Sequence, residues 1–339
     1  MPKFVVLDSH VVPDADYRVE KKILEDKGIE CVVGRCKSEE EILSLAKDAD
    51  GIGLIYANMN RGLISRLERC QVMVRYGVGY DSIDVQAATD HGICVCNLPD
   101  YCQPEVATHA AALLLDLCRK VTVFDRYVRA GNWNENYGYK VHRLSALTLG
   151  LVGLGHMSRQ FVRYIKPFGM HLLAYDPYAG DETFRENGVE KVTLDQLYAR
   201  SDVISIHTPL TPETHHLINA ESIAKMKDGV MLINTSRGPI VDTDALVDAL
   251  KRGKVQAAAL DVVEGEPIRD PHAKLFECEN LIVTPHSAYY SAESGRDQHQ
   301  KVAYSAIDVL LKKVIPYNCV NRRQLAEKNN ARVLNGNRP

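Results

Sequence analysis

Residues 149–158 read Leu-Gly-Leu-Val-Gly-Leu-Gly-His-Met-Ser. The apolar run Thr148–Val152 predicts a buried strand, Gly153 and Gly155 predict a tight turn, and the residues that follow predict a helix. Asp176 ends the next apolar run, 23 residues after Gly153. In such a unit the glycine turn approaches a pyrophosphate, and a carboxylate about 20 residues later binds the ribose. The sequence therefore predicts a dinucleotide site in a doubly wound α/β domain.

The same segment indicates which dinucleotide is bound. A glycine pair alone is weak evidence, because an ordinary turn between strand and helix has the same letters; the flanking strands and helix favour a true site. Ser158 stands where the pattern has a third glycine, and serine is nearly as small. No arginine directly follows Asp176, whose carboxylate would repel a 2′-phosphate, so we expect NAD rather than NADP. His156 and Met157 are expected to cover the pyrophosphate.

Composition limits the class of protein and its partners. The chain has 339 residues, of which 45% are hydrophobic and 25% charged, which is typical of a globular protein with room for two domains. A formal net charge of −3 provides no overall field for a nucleic acid, so we expect a small-molecule partner and no nucleic acid. No apolar run is long enough to span a membrane, and the first residues predict a strand rather than a leader. We expect a cytoplasmic protein without membrane contact.

Cysteine usage agrees with a reducing compartment. The nine cysteines are scattered and form no C-x-x-C pair, so reduced thiols are expected. Cys94 and Cys96 share one face of a predicted strand, but no second pair accompanies them and we predict no metal site there.

Two series of strands predict two parallel α/β layers. In the first, helix-like segments at Asp16–Lys27 and Glu39–Lys47 alternate with apolar runs, at Phe4–Leu7, Ile29–Val33, Ile52–Ile55, Val72–Arg75 and Ile93–Cys96. In the second, six runs fit a doubly wound coenzyme fold: 147–152, 171–175, 203–206, 230–234, 256–260 and 281–284. The predicted fold is two Rossmann-like domains, a flavodoxin-like substrate domain and an NAD-binding domain, with a cleft between them.

Connecting segments set the expected boundaries. Pro104 opens a helix that runs to about Lys120, and a last helix at about Ser291–Leu311 returns the chain to the first domain. We therefore assign residues 1–103 and 292–325 to the substrate domain, 104–291 to the NAD-binding domain and 326–339 to a mobile polar tail. The polar, aromatic stretch Arg129–Arg143 is interpreted as suited to subunit contacts.

A glycine turn in the first domain is a candidate anion site. The segment Arg75–Asp81 reads Arg-Tyr-Gly-Val-Gly-Tyr-Asp and follows the fourth strand. The amides of Gly77, Val78 and Gly79 could form a nest for a substrate carboxylate, and the alternative is a purely structural turn.

Chemically competent residues follow the later strands of the second series. Ligands of a doubly wound sheet sit outside the carboxyl ends of the strands. Arg237, Glu266 and His286 each follow such a strand, and each alone has an ordinary explanation in local pairing or a solvated loop. Together they supply a cation for substrate charge, an acid and a proton donor, which is what hydride transfer to a ketone requires. Glu264 is a competing carboxylate.

Six motifs in order make the chain resemble the D-isomer-specific 2-hydroxyacid dehydrogenase family over nearly its whole length. Besides the coenzyme loop they are residues 74–84 (VRYGVGYDSID), 207–214 (HTPLTPET), 234–238 (NTSRG), 261–267 (DVVEGEP) and 284–286 (TPH). In that family the residues at the positions of Arg237, Glu266 and His286 form the catalytic set. The family's acid is the one directly before proline, which here is Glu266 rather than Glu264.

The resemblance implies a reaction. A 2-keto acid would bind with its carboxylate on residues 77–79 and on Arg237, and His286 would donate a proton while Glu266 favours its imidazolium form. Thr235 and Asp261 are expected on the nicotinamide side, and Tyr289 at the substrate pocket wall. Further coenzyme contacts are expected from the 207–214 motif, at His207, Thr208, Pro209 and Thr214. The resemblance also implies a homodimer.

Within the family, residues 287–291 (SAYYS), 215–218 (HHLI) and 318–321 (NCVN) are most similar to the C-terminal binding protein branch. That branch's hallmark tryptophan is replaced by Tyr289, so no substrate preference is transferred. The branch implies an alternative function, a regulatory protein that senses NAD(H) with little turnover. Intact Arg237, Glu266 and His286 favour the enzyme.

Overall fold

The computed structural model describes residues 1–12 and 15–328. The chain divides into two compact units, one formed by residues 1–102 together with those from 291 onward, and the other by Gln103–Tyr290. The boundaries lie one residue from the expected ones at each junction. Among the described residues, no helix is long and apolar enough to cross a membrane.

Twelve strands were found in the described part of the chain. In chain order, they are β1 Lys3–Val6, β2 Glu30–Val33, β3 Gly51–Leu54, β4 Val72–Arg75, β5 Cys94–Cys96, β6 Thr148–Val152, β7 His171–Tyr175, β8 Glu190–Lys191, β9 Val203–Ile206, β10 Val230–Asn234, β11 Val255–Leu260 and β12 Leu281–Val283. Most are buried along their length, as in β3 and β10, because parallel sheets are covered by helices on both faces.

Thirteen α-helices connect or flank these strands within the described residues. They are α1 Arg18–Glu25, α2 Glu39–Ala46, α3 Arg61–Ile64, α4 Val85–Asp90, α5 Gln103–Arg119, α6 Val121–Arg129, α7 His156–Ile165, α8 Asp181–Asn187, α9 Leu194–Arg200, α10 Ala220–Lys225, α11 Thr243–Lys251, α12 Ala292–Leu310 and α13 Arg322–Lys328. The long helix α5 begins the second unit, and the long helix α12 begins the C-terminal part of the first unit. Both starts agree with the positions of Pro104 and Ser291.

The first unit contains a five-stranded parallel sheet in the order β2-β1-β3-β4-β5. This order reverses between β1 and β3, where a ligand crevice would form in such a sheet. Here the buried carboxylate of Asp8, directly after β1, accepts hydrogen bonds from the N–H groups of Ile55, Tyr56 and Ala57 at 2.6–2.8 Å. The N–H groups of residues 55–57 at this crevice are therefore satisfied by the chain itself.

The second unit contains a seven-stranded parallel sheet in the order β12-β11-β10-β9-β6-β7-β8. The order reverses between β6 and β9, so the glycine turn after β6 lies at the switch point of a doubly wound sheet. The fold predicted for both units is confirmed.

Three elements differ from the sequence-based expectation. The edge strand β8 was not predicted, because its two residues are both charged and exposed. The helix α6 was not predicted either; its apolar residues recur at helical spacing, but none of its side chains is buried within the described chain. The polar tail was expected to start at residue 326, but residues 326–328 belong to α13. The buried side chain of Leu325 anchors this helix. Residues 329–339 of that expected tail lie outside the described residues.

Candidate functional site

The glycine turn after β6 lies against the residues that follow β9. Gly153 has φ of +95°, a backbone conformation that residues with a side chain rarely adopt. A Cβ at this position would lie 2.7 Å from the carbonyl oxygen of His207. Glycine is thus required twice over, by the backbone conformation and by the close approach of the two loops.

The helix α7 begins directly after this turn. Gly155 is its N-terminal capping residue, and His156 and Met157 form its first turn. The first amides of a helix have no acceptor within the helix, so they are available to an anion. Ser158, the third-glycine position, is fully buried, which confirms that the close packing of α7 on the sheet tolerates a serine.

Asp176 organises the far side of the turn. One carboxylate oxygen accepts a hydrogen bond from the N–H of Leu154 at 2.8 Å, and the other accepts from Tyr178 at 2.9 Å and Ala179 at 3.1 Å. Each ionised carboxylate oxygen has further acceptor capacity, so Asp176 can still bind ribose hydroxyls. Its charge is fixed at the end of β7, where it opposes a 2′-phosphate.

A buried hydroxyl supports a bound ligand at the end of β10. Thr235 Oγ1 has almost no solvent contact and no hydrogen-bond partner among the described residues. A buried hydroxyl without a partner is unusual in a native protein. A coenzyme at this sheet edge would provide the missing partner, so the residues present fit a bound NAD.

The 207–214 segment is held by its own side chains. His207 lies after β9, with Nε2 2.9 Å from Ser205 Oγ and its ring 5.2 Å from that of Phe161. Burial lowers the pKa of His207 to about 4. Thr214 Oγ1 donates to the carbonyl oxygen of Pro209 at 2.7 Å and accepts from the N–H of Thr211 at 2.7 Å. The Thr214 hydroxyl therefore closes the loop that contains Thr208 and Pro209.

An imidazole and a carboxylate are paired at the ends of β11 and β12. Nδ1 of His286 lies 2.5 Å from Oε1 of Glu266, and Oε2 of Glu266 accepts from the N–H of Val263 at 3.0 Å. Both side chains keep part of their surface exposed, 22% for His286 and 31% for Glu266. Since Nδ1 is engaged with the carboxylate, Nε2 is the nitrogen that can face a reacting oxygen.

The loop that presents His286 is fastened to Asp261. This buried carboxylate accepts hydrogen bonds from Thr284 Oγ1 at 2.5 Å and from the N–H groups of Ser287 and Ala288 at 2.9 Å. The N–H of His286 donates to the carbonyl oxygen of Asp261 at 2.8 Å. These bonds hold His286 at φ of +54°, a strained value for a residue other than glycine.

Sequence reasoning missed one member of this network. His109, on α5, has Nε2 3.1 Å from Thr284 Oγ1 and 3.5 Å from the carboxylate of Asp261. The sequence assigns residue 109 only to the helix that begins at Pro104, because no local pattern connects it with residues 261 and 284. Only the packing of α5 against the sheet brings them together.

Arg237 follows β10, the strand next to β11. Its backbone carbonyl accepts from Nδ2 of the buried Asn234 at 2.9 Å, and its own Nη1 donates to the carbonyl oxygen of Ser236 at 2.8 Å. Because β10, β11 and β12 are adjacent and parallel, Arg237, Glu266 and His286 follow the same ends of three neighbouring strands. The sheet thus places the three predicted catalytic residues along one edge. Tyr289 lies close by, its ring 6.5 Å from that of His286.

The predicted anion loop belongs to the first unit. Gly77 has φ of +149°, and a Cβ there would overlap the guanidinium group of Arg75. The N–H of Gly77 donates to the carbonyl oxygen of Arg75 at 2.9 Å. The N–H groups of Val78 and Gly79 have no acceptor among the residues that the structure describes. Two of the three expected amides are thus available to an anion.

Comparison with known proteins agrees with this geometry. Residues 111–288 match the family model described as "D-isomer specific 2-hydroxyacid dehydrogenase, NAD binding domain". The chain is 38% identical to a hydroxypyruvate reductase of Blautia hydrogenotrophica, over 94% of this chain and 100% of the relative. It is 39% identical to a D-3-phosphoglycerate dehydrogenase of Methanocaldococcus jannaschii, over 90% of this chain but only 56% of that relative.

Among solved structures, a D-lactate dehydrogenase of Aquifex aeolicus, complexed with NAD and lactic acid, superposes with a TM-score of 0.80 at 30% identity. The match covers 98% of this chain and 99% of that one. Fold, coenzyme turn and paired imidazole thus define an NAD-dependent oxidoreductase. The chain belongs to the D-isomer-specific 2-hydroxyacid dehydrogenase family, whose members include the relatives above.

Proposed function

We propose that this protein reduces a small 2-keto acid to the D-2-hydroxy acid, and catalyses the reverse oxidation. The 2.5 Å contact between His286 and Glu266 carries the proposal, because it positions a proton donor at the coenzyme edge of the sheet. When bound, NADH supplies a hydride to the carbonyl carbon. Gly153, Gly155, Asp176 and Thr235 are the residues proposed to hold the coenzyme.

The chain's own residues complete the reaction. Arg237 binds the substrate carboxylate and polarises the carbonyl oxygen, because a guanidinium offers two parallel N–H donors to such a group. Nε2 of His286 gives its proton to the same oxygen as negative charge develops there. Glu266, held by the N–H of Val263, orients the ring through its contact with Nδ1. In the oxidative direction the neutral imidazole accepts the proton.

Two further assignments concern substrate recognition. The N–H groups of Val78 and Gly79 are proposed to bind a carboxylate, and Tyr289 to limit the substrate side chain. Asp261 is proposed to lie on the nicotinamide side and also to position His286, since its carboxylate accepts hydrogen bonds from residues 284, 287 and 288.

A coenzyme-oxidation assay tests the proposal. Loss of NADH absorbance is followed with glyoxylate, pyruvate, hydroxypyruvate and phosphohydroxypyruvate, a series that varies the side chain and its charge. Saturable turnover on at least one acid, lost in His286→Asn, supports the enzyme. NADH binding by titration calorimetry with no turnover on a wide panel would instead support the alternative, an NAD(H)-sensing regulatory protein.

A homodimer in the cytoplasm completes the proposal. The helix α6 buries none of its residues; its first residue, Val121, is 62% exposed, and Trp133 in the segment after it is 87% exposed. Such a patch is typical of a surface covered by a partner. The segment after α6 is also ordered from within, because Nζ of the buried Lys120 donates to the carbonyl oxygens of Tyr137 and Tyr139 at 2.6 and 2.7 Å. No nucleic acid is expected as a partner, because the net charge is slightly negative.

A further inference from the structure

A second imidazole–carboxylate cluster lies in the coenzyme-binding unit and has no part in the proposed reaction. Nε2 of His216 lies 2.9 Å from Oε1 of Glu264. The rings of His215 and His216 lie with their centroids 4.1 Å apart and their planes tilted by 31°. One ligand atom from each of the three residues lies within 4.8 Å of the others.

The backbone around this cluster is held from several sides. His216 has φ of +49°, and its N–H donates to the carbonyl oxygen of Pro239 at 2.8 Å. Its own carbonyl oxygen accepts from Asn219 Nδ2 at 2.9 Å. These bonds maintain a conformation that only a few per cent of residues other than glycine adopt. These bonds therefore fix the backbone from which the His216 side chain extends.

Close packing also fixes the segment that contains Glu264. A Cβ at Gly238 would lie 2.2 Å from the backbone carbon of Val263, so only glycine allows the two turns to touch. Three segments thus meet at the cluster: residues 215–219, residues 238–240 and residues 263–264. Residues 215–219 provide the two imidazoles and residues 263–264 provide the carboxylate. Residues 238–240 contact both of these segments.

The geometry points to a binding site for a divalent transition ion of the zinc class, and we propose that His215, His216 and Glu264 are its ligands. Imidazole nitrogen and carboxylate oxygen are usual zinc ligands, whereas Mg²⁺ and Ca²⁺ prefer oxygen alone. With bonds of about 2.1 Å, neighbouring ligand atoms of a tetrahedral zinc site lie about 3.4 Å apart. The distance of 2.9 Å between Nε2 of His216 and Oε1 of Glu264 is comparable to this ligand–ligand distance. Because His215 is exposed, its ring can move to complete the set.

Three protein ligands leave one position of a tetrahedral ion open. Sites of this kind keep water or a small anion in the fourth position. The ion would tie the 215–219 turn to the 263–264 segment, on the loop that continues to Glu266. We therefore expect the bound ion to stabilise the coenzyme-binding unit.

The plain alternative is a hydrogen-bonded His–Glu pair without an ion. The same unit contains a second His–Glu pair that serves as a matched control. Nε2 of His171 lies 3.0 Å from Oε2 of Glu190. That pair belongs to no cluster of three possible ligands among the described residues. A pair alone should therefore bind zinc far more weakly than the cluster does.

Titration of the full chain, without a polyhistidine tag, tests the proposal. Zn²⁺ binding is measured by calorimetry, and Co²⁺ binding by the visible absorption of tetrahedral cobalt. We expect one ion per chain, and at least about tenfold weaker binding in each of His215→Gln, His216→Asn and Glu264→Gln, since losing even an outer contact of a metal site costs about 10- to 100-fold. His171→Gln should bind as the unaltered protein does. Asparagine is chosen at residue 216 because it tolerates positive φ.

Thermal unfolding gives a second readout that does not depend on activity. Added Zn²⁺ should raise Tm in the unaltered protein and in His171→Gln, but not in Glu264→Gln. Equal binding by all variants, or no binding by the unaltered protein, would overturn the proposal. Wild-type affinity in His215→Gln would show that two ligands suffice and that the three-ligand site is wrong.

Discussion

The imidazole of His286 and the carboxylate of Glu266 lie 2.5 Å apart although the two residues follow different strands of the sheet. Their contact depends on two loops, and each loop is fastened independently. Val263 holds Glu266 through its N–H, and Asp261 holds His286 through its backbone carbonyl. The chain's own hydrogen bonds therefore hold the pair in place, as expected for a preorganised site.

Replacing His286 should abolish most turnover without abolishing coenzyme binding. We choose His286→Asn because asparagine tolerates the positive φ at this position, so the loop is expected to keep its course. Loss of a general acid should lower kcat by about 10²- to 10⁴-fold. Stopped-flow or steady-state NADH oxidation measures the loss, and NADH fluorescence measures binding. Unchanged turnover would remove His286 from the reaction.

Asp261 should matter for stability as well as for rate. In Asp261→Asn, one oxygen that accepts hydrogen bonds becomes an NH₂ group, which faces donors from residues 284–288 in a buried position. Leaving such groups without partners costs about 1–3 kcal/mol. Urea unfolding should show that loss, and kcat should fall because His286 is no longer held. A normal kcat in a destabilised variant would contradict the positioning role.

Thr284→Val perturbs the same hydrogen-bond network less than Asp261→Asn does, which urea unfolding and kcat should both show. It removes only the hydroxyl between His109 and Asp261, while the backbone bonds to Asp261 remain. We expect a smaller loss of stability than in Asp261→Asn, with kcat and the free energy of unfolding changing in the same direction.

Asp176 should determine the preference for NADH over NADPH. Its carboxylate is fixed by the N–H groups of Leu154, Tyr178 and Ala179, so it cannot turn away from a 2′-phosphate. Asp176→Ser should lower kcat/KM for NADH by about tenfold, which corresponds roughly to the free energy of one hydrogen bond to a charged group. The variant also loses the repulsion between the carboxylate and the 2′-phosphate of NADPH. The ratio of NADH to NADPH activity should therefore fall by more than about tenfold. An unchanged ratio would mean that another group selects the coenzyme.

The sequence predicted the strands better than the contacts. The bounds of β4, β7, β9 and β10 coincide with the predicted runs, because each is a continuous apolar segment ended by a polar or turn residue. The hydrogen bonds of Asp261 were not predicted; its place on the nicotinamide side, which the family resemblance implies, stays a prediction. In the structure its carboxylate is engaged with residues 284–288, about 25 positions further along the chain. No periodicity encodes such long-range hydrogen bonds, and only the adjacency of β11 and β12 reveals them.

Acid should destabilise the protein through His207. Its pKa falls from 6.5 to about 4 on folding, because burial disfavours the charged ring. Below pH 6.5 the unfolded chain binds a proton that the folded chain does not, so stability falls as the pH decreases toward 4. The total loss is at most about 3 kcal/mol, with about 2 kcal/mol lost by roughly pH 5.

Urea unfolding at two pH values isolates this contribution. The difference in unfolding free energy between neutral and mildly acidic pH should be smaller in His207→Gln than in the unaltered protein. His171→Gln is the control, because His171 lies in the same unit with an exposed side chain. The same slope in all three proteins would assign the acid sensitivity to other groups.

Trp133 should support self-association. Its side chain is 87% exposed in the single chain, so Trp133→Glu removes little packing within the chain and should leave Tm almost unchanged when the protein is dilute. If this face is covered by a second copy, a buried glutamate would be costly there, and the dimer should dissociate. Sedimentation should show twice the chain mass of 37.8 kDa for the unaltered protein and a single chain for the variant. Tyr304→Glu, at a half-exposed position on α12, serves as the control and should stay dimeric. A dimer that survives Trp133→Glu with unchanged affinity would place the subunit contact elsewhere.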